Sequence, residues 1–104
     1  MLGFLVVFCT CGSEEEALRL AHALVEKRLA ACVNILPPIQ SIYRWKGEVQ
    51  SAEEYLLLIK TTEERFDALH NTITDLHSYD TPEVIGLPVT DGSEKYLAWL
   101  RQSV

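Results

Sequence analysis

The 104-residue chain is 48% apolar and carries a formal net charge of −6. That length suits one domain rather than two, and the apolar content excludes a disordered chain. The acidic balance excludes a general nucleic-acid binder, which needs a basic face to release counterions, and no run reaches the roughly 18 apolar residues of a membrane helix.

The apolar opening, with no basic segment before it and no small-residue cleavage site after it, reads as a strand over residues 3–10 rather than a secretion signal. Ser13 and Glu16 have capping-box spacing, and three glutamates occupy the first turn of the helix that follows. Ala17, Leu18, Ala21, Leu24, Val25 and Leu29 recur at helical spacing, so a helix is expected over about 14–29, with Lys27 and Arg28 in its last turn. A second strand starts near Ala31, is interrupted at Pro37-Pro38, and resumes with Ile39, Ser41, Tyr43 and Trp45 on one side. Lys46-Gly47 predicts a tight turn into a third strand from Glu48 to about Thr61. Thr61 and Glu64 offer another capping box before a helix bearing Phe66, Leu69, Ile73 and Leu76. Residues 84–89 predict a short buried strand, which Pro88 places at a sheet edge or bulge. Asp91-Gly92-Ser93 then caps a terminal helix holding Tyr96, Leu97, Trp99 and Leu100.

This order predicts an α+β domain, ferredoxin-like (βαββαβ plus a C-terminal helix), with an antiparallel sheet, as a single domain over residues 1–104. The second and third strands, at about fourteen residues each, exceed the usual ~5–6. Their outer half overhangs the subunit and carries Tyr43 and Trp45, an apolar patch on a bare strand edge. A homo-oligomer assembled partly by strand pairing is expected.

The three cysteines are Cys9, Cys11 and Cys32. An odd count without Cys-x-x-Cys does not make a disulfide framework and suits a reduced, cytoplasmic setting. Cys9 and Cys11 face the same side of the first strand, so both thiols could reach one metal; Cys32 sits in an apolar strand as core. The Met-x-Cys-x-x-Cys of soft-metal chaperones is absent. His22 falls at the edge of the first helix's apolar face, and His70 on the second helix's stripe. His77 ends that helix, where the helix C-terminus favours it. A thiolate with an imidazole suits copper or zinc, though spacing leaves open whether Cys9 and His77 meet. As a nucleophile, a cysteine here lacks any marked third group, and there is no glycine-rich phosphate loop, so the chain reads as a non-enzyme.

Four stretches together resemble the CutA divalent-cation tolerance family: Phe8-Cys9-Thr10, Leu29 to Asn34 leading into Pro37, Ser41 to Glu48, and Tyr79 to Pro88. Tyr96-Leu97-Ala98-Trp99-Leu100 agrees, and the likeness covers essentially the whole chain. The resemblance implies a homotrimer whose long hairpins pair between subunits, and a response to divalent metals, copper above all. It also implies an architecture similar to the trimeric PII signalling proteins, whose inter-subunit clefts bind small ligands. On it, Cys9 and His77 become the metal-ligand candidates, for Cu(II) or another divalent ion with no obligatory cofactor. Tyr43, Trp45, Tyr79, Glu83 and Trp99 become interface or cleft residues. Ser78 stands where the family often has proline, Leu76 where some members have a second histidine, and Pro38 where glycine is usual. Two other readings remain: a PII-like module binding a small molecule, and a structural adaptor for a protein partner. Neither nucleic acid nor membrane is expected as a partner.

Overall fold

Strand β1 (Phe4–Cys11) lies inside the sheet, between β4 (Glu48–Thr62) and the edge strand β5 (Ile85–Pro88), antiparallel to both. The computed structural model describes residues 3–104. The inner half of β4 pairs with β2 (Cys32–Ile35) and its outer half with β3 (Ile39–Trp45), giving the order β2-β4-β1-β5 with β3 continuing alongside β4. Helices α1 (Glu14–Glu26) and α2 (Phe66–Leu76) follow β1 and β4, and α3 (Glu94–Ser103) follows β5. This is the split βαβ order expected of the sequence, with every strand pair antiparallel.

Alternation sorts the sheet into two unlike faces. Val7, Cys9 and Cys11 of β1 and Leu57 and Ile59 of β4 point toward the helices. There they form the core with Leu20 and Leu24 of α1 and Leu69 and Ile73 of α2, all fully buried. The opposite face, with Phe4, Val6 and Phe8, is only half-buried. Arg101 of α3 lies over the Phe4 ring, 4.6 Å from its centroid, and covers one end. At the other edge Ile85, opposite Phe8, stays 55% exposed.

Three details differ from expectation. Helix α1 ends at Glu26, before the basic residues, because Arg28 takes a left-handed conformation (φ 57°). Leu29 N–H then donates to Leu24 O at 2.9 Å and Arg28 N–H to Val25 O at 3.1 Å. That is a Schellman motif, closed by the buried pair Leu24 and Leu29. The second capping box does not form. The Thr61 hydroxyl donates instead to Leu29 O at 2.6 Å, and a 3₁₀ turn over Glu63–Arg65 leads into α2. β5 is at an edge as Pro88 requires, but it is exposed rather than buried, because its outward side chains belong to the face without helices. Its inward Gly86 is needed for close packing: a Cβ there would meet the Phe66 ring at 3.3 Å. Tyr43 and Trp45, by contrast, lie on the overhang as expected and remain 44% and 52% exposed in the single subunit.

Pairing puts Ile35 opposite Leu57 and Ile39 opposite Glu54, four steps on one strand against three on the other. The extra residue falls at Pro37-Pro38, which cannot donate to the ladder, and the strand bulges there. Beyond it the β3–β4 hairpin runs to a two-residue turn. Lys46 (φ 51°) and Gly47 (φ 80°) both take positive φ, as a type I′ turn demands. This overhang lengthens the subunit to 44 Å against 25 and 24 Å across.

Candidate functional site

The end of β1, the C-terminus of α2 and the base of the hairpin converge on one cleft. Helix α2 stops because His77 turns extended (φ −76°, ψ 143°) while its N–H still donates to Ile73 O at 2.8 Å. The His77 side chain is fully buried. Its Nε2 lies 2.8 Å from the Thr10 carbonyl oxygen and its Nδ1 accepts from the Tyr79 N–H at 3.0 Å. A carbonyl can only accept, so Nε2 carries the proton and both ring nitrogens are engaged.

Glu16 completes this clamp. Its N–H caps onto the Ser13 hydroxyl at 3.2 Å, the expected half of the capping box. Its carboxylate, however, turns away from Ser13 and accepts from the Ser78 N–H at 2.8 Å and the Ser78 hydroxyl at 3.1 Å. Burial resists its ionisation, but the two Ser78 donors, with Arg19 nearby, hold the carboxyl below the usual carboxylate range. A proline at position 78 could supply neither of these donors, so the clamp depends on Ser78.

The clamp sets Tyr79. Its ring packs 4.7 Å from the His77 ring, and its hydroxyl donates to Glu54 Oε2 at 2.9 Å. Burial and that bond push the Tyr79 hydroxyl well up, so it stays a donor. Gly12 leaves room for it; a Cβ there would come within 3.3 Å of the Tyr79 oxygen.

Tyr79 forms one wall of a cleft of about 560 Å³, and Tyr43 and Trp45 of the overhanging hairpin form another. Three carboxylates, Glu54, Asp80 and Glu83, line it, and no lining residue is basic. Glu54 is only 8% exposed. Burial and the Glu54 charge push the Glu83 carboxyl up. The cleft is an acidic recess with aromatic walls.

Of the expected site residues, Tyr43, Trp45, Tyr79 and Glu83 meet here. Trp99 does not: it packs on Tyr96 at 5.3 Å in α3 and stays 45% exposed. His77 comes against the residue after Cys9, but the Cys9 thiol points into the helix-packed core. Burial first, then Cys11 and the nearby glutamates, pushes that thiol up to about 12. Burial, then Glu16, likewise pushes Cys11 up to about 11. Both thiols face the core and neither imidazole nitrogen of His77 is free, so as they stand these groups do not present a ligand set to a copper ion. Among the described residues no group of three or more His, Cys, Asp or Glu is placed to hold a metal ion. His22 is exposed beside Glu26 at 3.9 Å, and His70 is an exposed ring stacked on Phe66 at 6.2 Å.

Sequence reasoning missed Glu16, Glu54 and Ser78. Glu54 left a trace: alternation puts it on the same side as Leu56 and Leu58, a carboxylate on an apolar face that needs a partner. Glu16 and Ser78 left none, because their pairing joins elements 62 residues apart.

Comparison with known proteins gives a consistent result. Residues 5–103 match the family described as CutA1 divalent ion tolerance protein. The divalent-cation tolerance protein CutA of Thermus thermophilus is 52% identical over 98 residues, 94% of this chain and 95% of its own length. The chloroplastic CutA of Arabidopsis thaliana is 48% identical over 95% of this chain, which spans only 54% of that protein. Among solved structures, that of the Thermus thermophilus divalent cation tolerance protein superposes with a TM-score of 0.95 at 51% identity, covering 96% of this chain and 97% of the other. The structure of the periplasmic divalent cation tolerance protein CutA of Archaeoglobus fulgidus gives 0.93 at 37% identity, over 96% of this chain and 97% of the other. No helix among the described residues is long and apolar enough to cross a membrane. With matching strands, helices and hairpin over nearly the full length, the chain belongs to the CutA1 family of divalent ion tolerance proteins.

Proposed function

We propose that the chain serves divalent-cation tolerance as a non-catalytic, cytoplasmic homotrimer, and that its cation-responsive site is the acidic cleft rather than the Cys9–His77 pair. One observation carries this reading. Glu54 and Glu83 share a recess of about 560 Å³ with Asp80 and without any basic lining residue, so the cleft holds uncompensated negative charge. A cation entering it relieves repulsion and desolvation at once. Three carboxylates spread round an open recess do not make a dry metal cage. A divalent ion there would keep much of its water, as magnesium-like ions do, and bind weakly.

The trimer is supported by the exposed hairpin aromatics and by the half-open sheet face, two apolar surfaces that an isolated subunit leaves in water. A PII-like role for the cleft, with a small molecule as ligand, uses the same residues. Copper at Cys9 and His77 is the competing site. Its support is the approach of His77 to Thr10, and its cost is the exchange of two hydrogen bonds and the exposure of a buried thiol.

Calorimetric titration of the reduced protein with Cu(II) and Zn(II), against Glu83→Gln, His77→Ala and Cys9→Ser, separates them. Saturable binding weakened by Glu83→Gln and kept by Cys9→Ser is the expected result. Binding lost in Cys9→Ser and His77→Ala but kept in Glu83→Gln would move the site to the β1–α2 pair.

A further inference from the structure

We propose that the cleft between Tyr79 and the overhanging hairpin is built for an organic ammonium ion, held by the rings of Tyr43, Trp45 and Tyr79 and by the carboxylates of Glu54 and Glu83. This rests on the reading of the cleft as a cation site and names the kind of cation.

Size comes first. About 560 Å³ lies within the range of small-molecule pockets, roughly 300–1,000 Å³, and far exceeds the space of a bare metal ion. Ligand count comes second. Metal ions of the calcium or magnesium type need about six oxygen ligands, and among the described residues no three or more His, Cys, Asp or Glu side chains, the cleft's three carboxylates included, are placed to hold one ion together. A metal ion would also leave the aromatic walls without a role.

The walls supply the third argument. In the single subunit Tyr43, Trp45 and Tyr79 are 44%, 52% and 38% exposed, and all three line the same recess. Aromatic faces attract cations through their quadrupole, tryptophan most strongly, and weakly hydrated organic ammonium ions gain most because little water is lost. Glu54 is fixed by the Tyr79 hydroxyl at 2.9 Å, so one carboxylate is already oriented when the ligand arrives. Arg44, the basic residue between Tyr43 and Trp45, is turned away: its guanidinium donates to Gly47 O at 3.1 Å. A neutral ligand would leave the carboxylates facing one another, and an anion would be repelled.

Choline and its neutral isostere 3,3-dimethylbutan-1-ol differ essentially in charge, which makes them the probes. Titration of each into the intact protein is followed by calorimetry and by tryptophan fluorescence, with Zn(II) and Cu(II) in parallel. Choline is expected to bind saturably and the neutral isostere about tenfold or more weaker. Trp45→Leu should weaken choline by about three- to thirtyfold, Trp45→Phe should restore most of it, and Glu83→Gln should weaken it comparably. Because Trp45 also serves the proposed subunit interface, each titration is run at a protein concentration where circular dichroism and sedimentation find the variant folded and assembled, so that loss of choline binding is read apart from loss of assembly. Equal affinity for choline and its isostere, or metal binding weakened by Glu83→Gln without choline binding, would overturn the organic cation while leaving a cation cleft. No binding of choline or either metal to the cleft would overturn both.

Discussion

Strand β4 is two strands in one. From Tyr55 to Thr62 it is flanked by β1 and β2 and contributes Leu57 and Ile59, both fully buried. From Glu48 to Ala52 it has β3 alone for a neighbour and no buried residue. The inner half is held by its own subunit. The outer half has hydrogen bonds but no core, and an isolated two-stranded hairpin is marginal in water. Glu54 sits where the two regimes meet. The cleft therefore takes one wall from the rigid part and one from the part that needs a partner.

The largest test acts on the inner half. Ile59→Ala should cost about 2–5 kcal/mol, the usual range for opening a cavity in a closed core. Urea unfolding at fixed protein concentration measures it, because self-association would otherwise shift the midpoint. A cost under about 1 kcal/mol would mean that the core collapses around the gap and that the inner half is not the anchor.

The matching test acts on the outer half. Tyr43→Ala with Trp45→Ala should leave the subunit's secondary structure intact and weaken self-association by about 2 kcal/mol or more, as buried interface aromatics do. Sedimentation over a dilution series reads this. A double variant that stays fully assembled at the lowest concentration would remove the hairpin aromatics from the interface.

A third effect belongs to the clamp behind the cleft. The Glu16 carboxylate accepts two hydrogen bonds from Ser78 and is held below its ordinary range in the fold. A carboxyl depressed on folding adds stability that is complete above its unfolded value and is lost as pH falls through the folded one. Glu16→Gln should therefore cost about 1.5–3 kcal/mol at pH 7. The gap from wild type should narrow as pH drops below about 4.5, the ordinary carboxyl value. A pH-independent gap would assign the cost to packing rather than charge.

The two halves were also unequally legible. Local signals placed the inner strands, the first N-cap and the Lys46-Gly47 turn, because periodicity and turn chemistry act over a few residues. The Tyr43 and Trp45 alternation showed that the hairpin overhangs. What failed was long-range. Thr61 had the spacing of a cap, but a carbonyl 32 residues away, at Leu29, claimed its hydroxyl. Residues 84–89 looked buried because an apolar run does not reveal which sheet face lacks helices. Cys9 and His77 sat at the expected ends of their elements, yet alternation sends the thiol to the core side, and only the tertiary structure shows His77 spent on Thr10 and Tyr79. Glu83 was placed by likeness, and its partner Glu54 came only from the fold.

The smallest test compares one kind of strain in the two regions. Arg28 and Lys46 both hold a left-handed conformation without being glycine. Arg28 closes α1 against the core through Leu29, while Lys46 sits at the hairpin tip. Glycine relieves the Cβ clash at either position but adds freedom to the unfolded chain, so the net gain should be about 1 kcal/mol or less in each. Where the gain appears should differ. Arg28→Gly acts on a cap bonded into the cooperative core, so it should raise the global unfolding midpoint. Lys46→Gly acts on a segment that can open by itself, so it should slow amide exchange in β3 and outer β4 and leave exchange in α1 unchanged. If Lys46→Gly protects α1 as strongly as the hairpin, the two halves of β4 unfold as one unit, and the cleft has two rigid walls rather than one.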